Sequence, residues 1–410
     1  MTLTNYLSDV QKQFKKRRGR DSNLEIEMGN EVPPATGLIV DNPLLEYILD
    51  RRFLAYGRCY LTYGKKGCSK TTLFLNLAKL VQQAGGLVVW VETEKAADLD
   101  YAKNQGVDLS KLIMPKVDTL QEALTVCEDF IRSLPKADPE GNTPVLICLD
   151  SIAGAIPEYE LQSDVTVGET KVGEHARLMS GFYRRIIHPL ESEKCIFMAL
   201  NQLKVAIGKP SFAGEETEAM IGGDAPRFHS TYQWKVVRTK DLVKKMPNGA
   251  ERKVGSRHKL ICKRNKLGRE GNSQEVEFDV HIKGGIDWYS SLVRKLADEY
   301  TNLVSKSGGY YSWEVENTTY EDDEIYKDES GQDKVRKAKF LIPVGKNLRE
   351  GELASLIAKS HDAKELIRKE FGIPDMPSME DIKRVEIENK QKRGRKKANE
   401  LDDDDAIQEL

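Results

Sequence analysis

The sequence feature that most constrains the fold is a strand, a glycine-rich loop and a helix in direct succession. An apolar run over residues 58–64 meets the loop 65–69, and apolar residues then recur at helical spacing until Gly85 and Gly86 end the pattern. Backbone N–H groups of such a loop and of the helix N-terminus converge on an anion. The succession predicts a phosphate-binding loop made of Gly64, Lys65, Lys66, Gly67, Cys68, Ser69, Lys70, Thr71 and Thr72.

Two side chains of this loop are predicted to take part in nucleotide chemistry. Lys70 can reach the β- and γ-phosphates, and the Thr71 hydroxyl can bind Mg²⁺. The motif has glycine immediately before the lysine, whereas this chain has Ser69, whose Cβ narrows the conformational options of the loop. A glycine-rich surface turn before an ordinary helix is the alternative interpretation. The hundred residues that follow favour a site for ATP and Mg²⁺.

Three apolar runs after this loop predict the buried strands of a parallel sheet. The runs cover residues 87–91, 145–149 and 195–200, and they alternate with helical patterns, one of which begins with a capping box of Thr119 and Glu122. Polar residues follow each run, and open parallel sheets bind ligands at the carboxyl ends of their strands. We predict an α/β fold with a mostly parallel sheet flanked by helices, an N-terminal docking helix and a small C-terminal α/β domain.

Three polar residues at these strand ends are the candidate catalytic groups. We expect Asp150 to hold Mg²⁺ together with Thr71, with a helix-capping aspartate as the alternative. Glu94 is placed to orient and deprotonate the attacking water, unless it is only a solvated loop charge. The amide of Gln202 can hydrogen-bond a γ-phosphate and report its presence to residues 203–227, a long segment with little periodicity.

A helical pattern after the irregular segment 157–173 has two different faces. Arg177, Ser180 and Arg184 share one side because they are three and four residues apart. Basic and hydroxyl groups in one stripe are suited to a nucleic-acid phosphate backbone, and a solvated helix face is the alternative. Apolar residues occupy the other side, namely Met179, Phe182, Tyr183, Ile186 and Leu190.

Composition narrows the class of protein further. The net charge of −2 over 410 residues gives no global field that identifies a partner. No apolar run reaches the length of a membrane span, and the N-terminus lacks the apolar region of a signal peptide. The six cysteines contain no CxxC pair, which is typical of free thiols in a reducing cytoplasm. We therefore expect a cytoplasmic protein that makes no use of a membrane.

The two ends of the chain differ from its middle. An amphipathic stripe precedes a basic run at the N-terminus, which predicts a docking helix rather than a transit peptide, given Asp9 and the scarcity of serine. The charged residues 314–337 predict a loop, and periodicity fades from residue 374 into a flexible tail with basic and acidic runs. The N-terminal stripe consists of Leu3, Tyr6, Leu7, Val10 and Phe14.

Several segments, in order, resemble the RecA-type homologous recombinases, and within them the bacteriophage UvsX-like branch. The similarity runs from about residue 36 to residue 371, and each segment keeps its place in the order of the family. The matching segments are Glu94 to Asp108, Leu149 to Ser151, Asn201 to Lys204, Ile221 to Phe228, Lys263 to Lys266, 285–289 and 309–312.

This resemblance implies roles for further residues. Asp98 would lie near the adenine, and Tyr101 would stack on it. Arg264 and Lys266 resemble the basic pair that reaches the ATP of a neighbouring protomer, although bacterial members have two lysines there. The second DNA-binding loop would involve Lys204, Gly222, Gly223 and Asp224, and the filament interface would involve Leu7, Val10, Phe14 and Phe228.

The resemblance also implies an activity, partners and a domain division. The activity would be DNA-dependent ATP hydrolysis coupled to homologous pairing and strand exchange. The partners would be single- and double-stranded DNA, further copies in a head-to-tail filament, and single-stranded-DNA-binding and mediator proteins, in the host cytoplasm if the gene is a phage gene. The expected units are residues 1–35 for docking, 36–284 as a RecA-type ATPase core, 285–373 as the small domain and 374–410 as the tail.

Two other functions share parts of this sequence pattern. A ring-forming motor of the same fold, such as a replicative helicase, would have the same loop, glutamate and aspartate but no need for the segment around Gly222 and Gly223. A soluble P-loop kinase or regulatory ATPase would not bind DNA. Electron microscopy separates rings from open filaments, and ATP turnover with and without single-stranded DNA tests the second alternative.

Overall fold

A sheet of ten strands runs through the part of the chain that the structure describes. The computed structural model describes residues 3–18, 34–161, 173–205, 218–268, 274–327 and 332–391. In its first half the elements are α1 (Leu3–Arg18), β1 (Gly37–Ile39), α2 (Pro43–Leu49), β2 (Phe53–Ala55), β3 (Arg58–Gly64), α3 (Lys70–Gln83), β4 (Leu87–Glu92), α4 (Leu99–Asn104), β5 (Leu112–Ile113), α5 (Leu120–Ala137), β6 (Val145–Asp150), α6 (Glu174–Glu191) and β7 (Cys195–Val205).

Antiparallel strands dominate the second half, and short helices complete it. A last helix covers residues 379–391 and is called the C-terminal helix below. The other elements are β8 (Glu218–Met220), α7 (Ala225–His229), β9 (Tyr232–Lys245), β10 (Glu251–Asn265), β11 (Glu275–His281), β12 (Gly285–Asp287), α8 (Trp288–Glu299), β13 (Val304–Ser307), β14 (Tyr310–Trp313), β15 (Thr319–Lys327), β16 (Asp333–Leu341), α9 (Glu350–Lys359) and α10 (His361–Phe371).

The order of the strands confirms the predicted α/β class. It is β12-β11-β10-β9-β3-β7-β6-β4-β5, with β8 paired to the far end of β7. Neighbours from β9 to β5 are parallel, and β9 to β12 pair antiparallel. β7 extends beyond the predicted run because its end pairs with β8, so Asn201 and Gln202 lie inside a strand rather than after one.

Helices cover both faces of the sheet, as the apolar patterns predict. Alternate residues of β6 point to opposite sides: Cys148 belongs to one hydrophobic cluster and Ile147 to the other. α3 and α8 contribute to the first cluster, while α5 and α6 contribute to the second. The capping box of Thr119 and Glu122 is confirmed at the start of α5. The parallel strands are therefore buried between two helical layers, and their carboxyl ends share one edge.

The prediction of a loop over residues 314–337 is wrong for most of that range. β15 and β16 form a two-stranded antiparallel hairpin there, and Ile325 lies opposite Val335. Opposite charges also face each other, with an ion pair of 2.8 Å between Glu324 and Arg336. Cross-strand pairs of this kind stabilise a hairpin, although along the sequence they are read only as a run of mixed charge.

The predicted flexible tail is wrong for its first part, because the C-terminal helix packs on the core. Glu386 of this helix forms an ion pair with Lys194 at 3.2 Å, and Val385 is buried. A groove of about 300 Å³ separates it from residues 34–37, where the described chain resumes after its first gap. The rest of the tail, residues 392–410, lies outside the described residues.

The predicted domain limits remain predictions. β12 follows the limit at residue 285 and still pairs with β11 of the main sheet. One hydrophobic cluster includes residues from α3 and from α10, so it extends across this limit. Among the residues that the structure describes, no helix has both the length and the apolar character that crossing a membrane requires.

Candidate active site

A cleft of about 360 Å³ lies at the carboxyl ends of the parallel strands. Its size is in the range of ligand sites, which are typically about 300–1,000 Å³. The structure brings most of the predicted catalytic and nucleotide-binding residues together here. The lining includes Lys66, Gly67, Cys68, Ser69, Lys70, Thr71, Thr72, Glu94, Asp98, Tyr101, Asp150 and Gln202.

The loop between β3 and α3 holds its lysine against its own backbone. The Lys70 ammonium donates to the carbonyl oxygens of Gly64 at 3.2 Å and Lys65 at 3.1 Å. Gly64 and Lys65 do not line the cleft themselves, but they bind Lys70, which does. The first backbone N–H groups of α3 have no partner within the helix, and this end of the helix lines the cleft. Loop, lysine and helix terminus together form a site suited to a polyphosphate.

Asp150 and Thr71 form the predicted pair for a metal ion. The Thr71 hydroxyl donates to Oδ2 of Asp150 at 2.9 Å. Burial raises the pKa of Asp150 to about 6, the bond from Thr71 opposes the rise, and the nearby Glu94 and Glu92 add to it. Within the described ranges, no three acidic, histidine or cysteine side chains converge tightly enough to hold a metal ion alone. Mg²⁺ at nucleotide sites typically takes one or two protein oxygen ligands, with phosphates and water completing its coordination, and Thr71 with Asp150 fits this pattern.

The Glu94 carboxylate receives two hydrogen bonds across the cleft. Its Oε1 accepts from the Gln202 amide at 2.7 Å and from the Ser151 hydroxyl at 2.7 Å. Neighbouring Glu92 accepts the backbone N–H groups of Glu94 and Ala96, and so fixes the turn that presents Glu94. Sequence reasoning missed Glu92, although two acids at alternate positions after an apolar strand were a readable signal.

Asp98 and Tyr101 lie at the other end of the cleft. Asp98 caps α4 by accepting the Tyr101 N–H at 2.8 Å. The Tyr101 hydroxyl lies 2.9 Å from the Thr72 hydroxyl, which ties the ring to α3. Trp90 and Leu75, which sequence reasoning did not select, also line the cleft. This end therefore has the aromatic and apolar surface that a purine ring requires.

Comparison with known proteins gives a consistent result. The RecA N-terminal domain model matches residues 5–287, which is more than half of the chain. A similar protein is Protein RecA of Leifsonia xyli, 31% identical over 83% of this chain and 84% of its own length. Protein RecA of Geobacter metallireducens is 28% identical over 75% and 83%, respectively.

The chain belongs to the RecA family. It is therefore an ATP-dependent DNA recombinase that forms filaments and uses ATP with Mg²⁺. Its DNA-dependent ATPase activity follows from the same membership. Neither a ring-forming helicase nor a small-molecule kinase accounts for a family match of this extent.

In this RecA-family chain, Asn201 connects the cleft to the segment around Gly222. The Asn201 side chain donates to the carbonyl oxygen of Ile221 at 2.7 Å. Gly222 and Gly223 have φ of +89° and +68°, and a Cβ on Gly223 would lie 2.6 Å from that of Ala176. Glycine is therefore required at this turn both by conformation and by space. Asp224 follows the pair and precedes α7.

The predicted basic stripe on α6 is only partly free. Arg177 and Arg184 are exposed, but Arg177 forms an ion pair with Glu174 at 2.7 Å, and Arg184 donates to the Ser180 carbonyl oxygen. An exposed pair of this kind is weak, so a phosphate can compete for Arg177. Lys204 is in β7, and its side chain lies outside the described part, as do residues 162–172 and 206–217.

Arg264 and Lys266 do not line the cleft of their own chain. Both are exposed where β10 ends, and the Lys266 ammonium donates to the Phe228 carbonyl oxygen at 2.7 Å. Burial and the neighbouring Arg264 lower the pKa of Lys266. The Phe228 ring is 68% exposed. On α1, Leu7, Val10 and Phe14 are partly exposed, whereas the side chains of Leu3 and Tyr6 lie outside the described residues.

Proposed function

We propose that Glu94 activates the water that attacks ATP, and that Gln202 reports the state of the γ-phosphate to the DNA-binding side. The observation that carries this proposal is the 2.7 Å hydrogen bond from the Gln202 amide to Oε1 of Glu94. One amide hydrogen of Gln202 is thus engaged by the very carboxylate that would take a proton from water. A phosphate oxygen nearby would compete for that donor.

The roles of the other cleft residues follow from their contacts. Lys70 would leave the loop carbonyl oxygens to neutralise phosphate charge. Thr71 and Asp150 would hold Mg²⁺, which neutralises charge on the phosphates when bound. Asp98 and Tyr101 would position the base. A change at Gln202 would reach the DNA side through Asn201 and its bond to the Ile221 carbonyl oxygen.

Substitution of Gln202 tests this signalling. Gln202→Ala is expected to lose most of the stimulation of ATP turnover by single-stranded DNA, while the Kd for ATP changes little. The matched control is Gln121→Ala, an amide on α5 outside the cleft lining. Turnover is measured with and without single-stranded DNA. Stimulation that persists unchanged in Gln202→Ala would exclude Gln202 as the reporter.

We further propose that Arg264 and Lys266 act on the ATP of an adjacent protomer, and that α1 packs on that protomer. This proposal is supported by the position of both basic residues outside their own cleft and by the partly exposed apolar face of α1. Head-to-tail contacts are heterologous, and they generate an open filament when the rotation between neighbours does not close a ring. Phe228 lies beside Lys266 and would belong to the same interface.

Truncation tests the filament interface. Deletion of residues 1–20 should leave a folded core that no longer forms long filaments, as seen by electron microscopy. A triple Leu7, Val10 and Phe14 to Ser variant should behave in the same way. The control replaces the exposed Lys12, Gln13 and Lys16 on the same helix by Ser. Filaments of wild-type length from the triple apolar variant would assign α1 another role.

We also propose that the chain belongs to the bacteriophage UvsX-like branch of the family. The non-glycine residue Ser69 before Lys70 and the ordered segments described above support this branch. A phage origin would place the protein in the host cytoplasm, with single-stranded-DNA-binding and mediator proteins as partners. The proposed DNA contacts are Arg177, Ser180, Arg184, Lys204, Gly222, Gly223 and Asp224. A phylogenetic tree that places the chain among cellular RecA proteins would overturn the assignment.

A further inference from the structure

Ser69 has a backbone conformation that normally favours glycine. Its φ is +65°, in the left-handed region, and it precedes Lys70 in the phosphate-binding loop. A residue with a Cβ pays about 1–2 kcal/mol in this region. The Ser69 side chain makes no capping bond to α3, so helix capping does not offset this cost. The Ser69 side chain instead makes a contact on another element of the fold.

That contact comes from a histidine far away in the sequence. The Ser69 hydroxyl lies 3.1 Å from Nε2 of His258, a residue of β10 that is 0% exposed. The Ser256 hydroxyl lies 2.8 Å from the same nitrogen, and the Phe278 ring stacks on the imidazole with centroids 5.4 Å apart. Burial lowers the pKa of His258 to about 4, helped by Arg238, so the ring is neutral at pH 7.

The imidazole is therefore held at one nitrogen and on one ring face. Ser256 of β10 and Ser69 of the loop share Nε2, which in a neutral ring has one hydrogen or one lone pair, and Phe278 of β11 stacks on the ring. A neutral histidine so deep in the core has no evident part in hydrolysis. Packing alone would be served by an apolar residue, which would avoid the cost of burying a polar ring.

We propose that His258 is a positioning residue of the nucleotide site: through Ser69 it holds the phosphate-binding loop in the conformation that glycine adopts freely. The inference rests on the proposed assignment of residues 64–72 to ATP. The hydrogen bond offsets the conformational cost of serine and ties the loop to β10. Because the effect is on loop geometry before chemistry, it should change ATP affinity more than the catalytic rate.

A double-mutant cycle between Ser69 and His258 tests the proposal in the full-length protein. His258→Ala should raise the KM for ATP about fivefold, the size expected for one lost hydrogen bond, while kcat stays within about twofold. His258→Gln, which keeps a donor and an acceptor, should recover part of the loss. In the Ser69→Gly background, His258→Ala should add no further rise, since glycine needs no anchor.

Substitutions at Ser69 alone keep the test independent of the core. Ser69→Ala retains a Cβ in the left-handed region and loses the bond, so its KM should exceed that of Ser69→Gly. Equal KM values for Ser69→Ala and wild type would overturn the proposal, and so would an equal His258→Ala effect in both backgrounds. His361→Ala, on the exposed side of α10, is the control. Lys70→Ala distinguishes failure of the His258 inference from failure of the proposed ATP site, because unchanged ATP binding by that variant would refute the site itself.

Discussion

The nucleotide cleft and the exposed end of β10 differ in how much of their chemistry one protomer supplies. In the cleft, Lys70, Asp150 and Glu94 each have a hydrogen-bond partner within 3.2 Å in the same chain. At the end of β10, Arg264 is exposed and does not line the cleft of its own chain. The side chains of the first region are therefore held by contacts within one chain. The second region would act only beside another copy of the chain, as proposed for Arg264.

The largest expected effect comes from two variants, each of which disables one of the two regions. Lys70→Ala should lose about a thousandfold or more in ATP turnover, since the phosphates lose their main cation, and Arg264→Ala should lose about a hundredfold. Mixing the two variants in equal amounts should restore turnover at about a quarter of the sites, where an intact loop meets an intact Arg264 of the neighbour.

Turnover by the mixture, measured across mixing ratios in the presence of single-stranded DNA, checks this prediction. Lys263→Ala, an exposed neighbour of Arg264, serves as the control and should retain activity. The Kd for ATP of Arg264→Ala should stay unchanged for isolated protomers. Mixed filaments that remain inactive at every ratio would show that Arg264 does not act between protomers.

A smaller effect separates the base from the residue that supports it. Glu94→Gln should keep ATP binding and filament formation but lose about 10²–10⁴ in turnover, because an amide cannot accept the proton of the attacking water. Glu92→Gln should lose only about tenfold or less, because its single amide oxygen still accepts one of the two backbone N–H groups that Glu92 binds. Single-turnover hydrolysis distinguishes them. Comparable losses in both variants would mean that loop geometry, not proton transfer, limits the reaction.

The smallest effect concerns the proton on Asp150. Its pKa of about 6 is above the ordinary value of 3.8, so between these pH values the folded chain binds more protons than the unfolded one. Stability should therefore fall as pH rises through this window without Mg²⁺, by up to about 3 kcal/mol. Urea unfolding should show this fall in wild type but not in Asp150→Asn. The control Asp129→Asn, an exposed position on α5, should behave like wild type.

Local sequence signals predicted the elements around the cleft. A strand, a glycine-rich loop and a helix occur within about thirty residues, so their periodicity alone locates the loop before Lys70. Asp150 and Glu94 followed from the rule that ligands bind at the carboxyl ends of parallel strands. The structure places both carboxylates at the cleft, and their catalytic roles remain predictions.

The features that the sequence did not predict depend on how side chains and strands meet in the folded chain. The contact between Ser69 and His258 spans 189 residues, and nothing near His258 indicates it. The β15–β16 hairpin depends on charges that cancel only after the strands pair. Helical spacing showed that Arg177 shares a face with Ser180 and Arg184, whereas its ion pair with Glu174 depends on side-chain conformation.

The C-terminal helix has a consequence for the connectivity of the chain. It packs beside residues 34–37, so both ends of the folded core meet at one groove. A short linker could therefore join them, and new ends could be opened at the exposed turn between β9 and β10 around Asn248. Such a circular permutant would keep every strand pairing of the sheet.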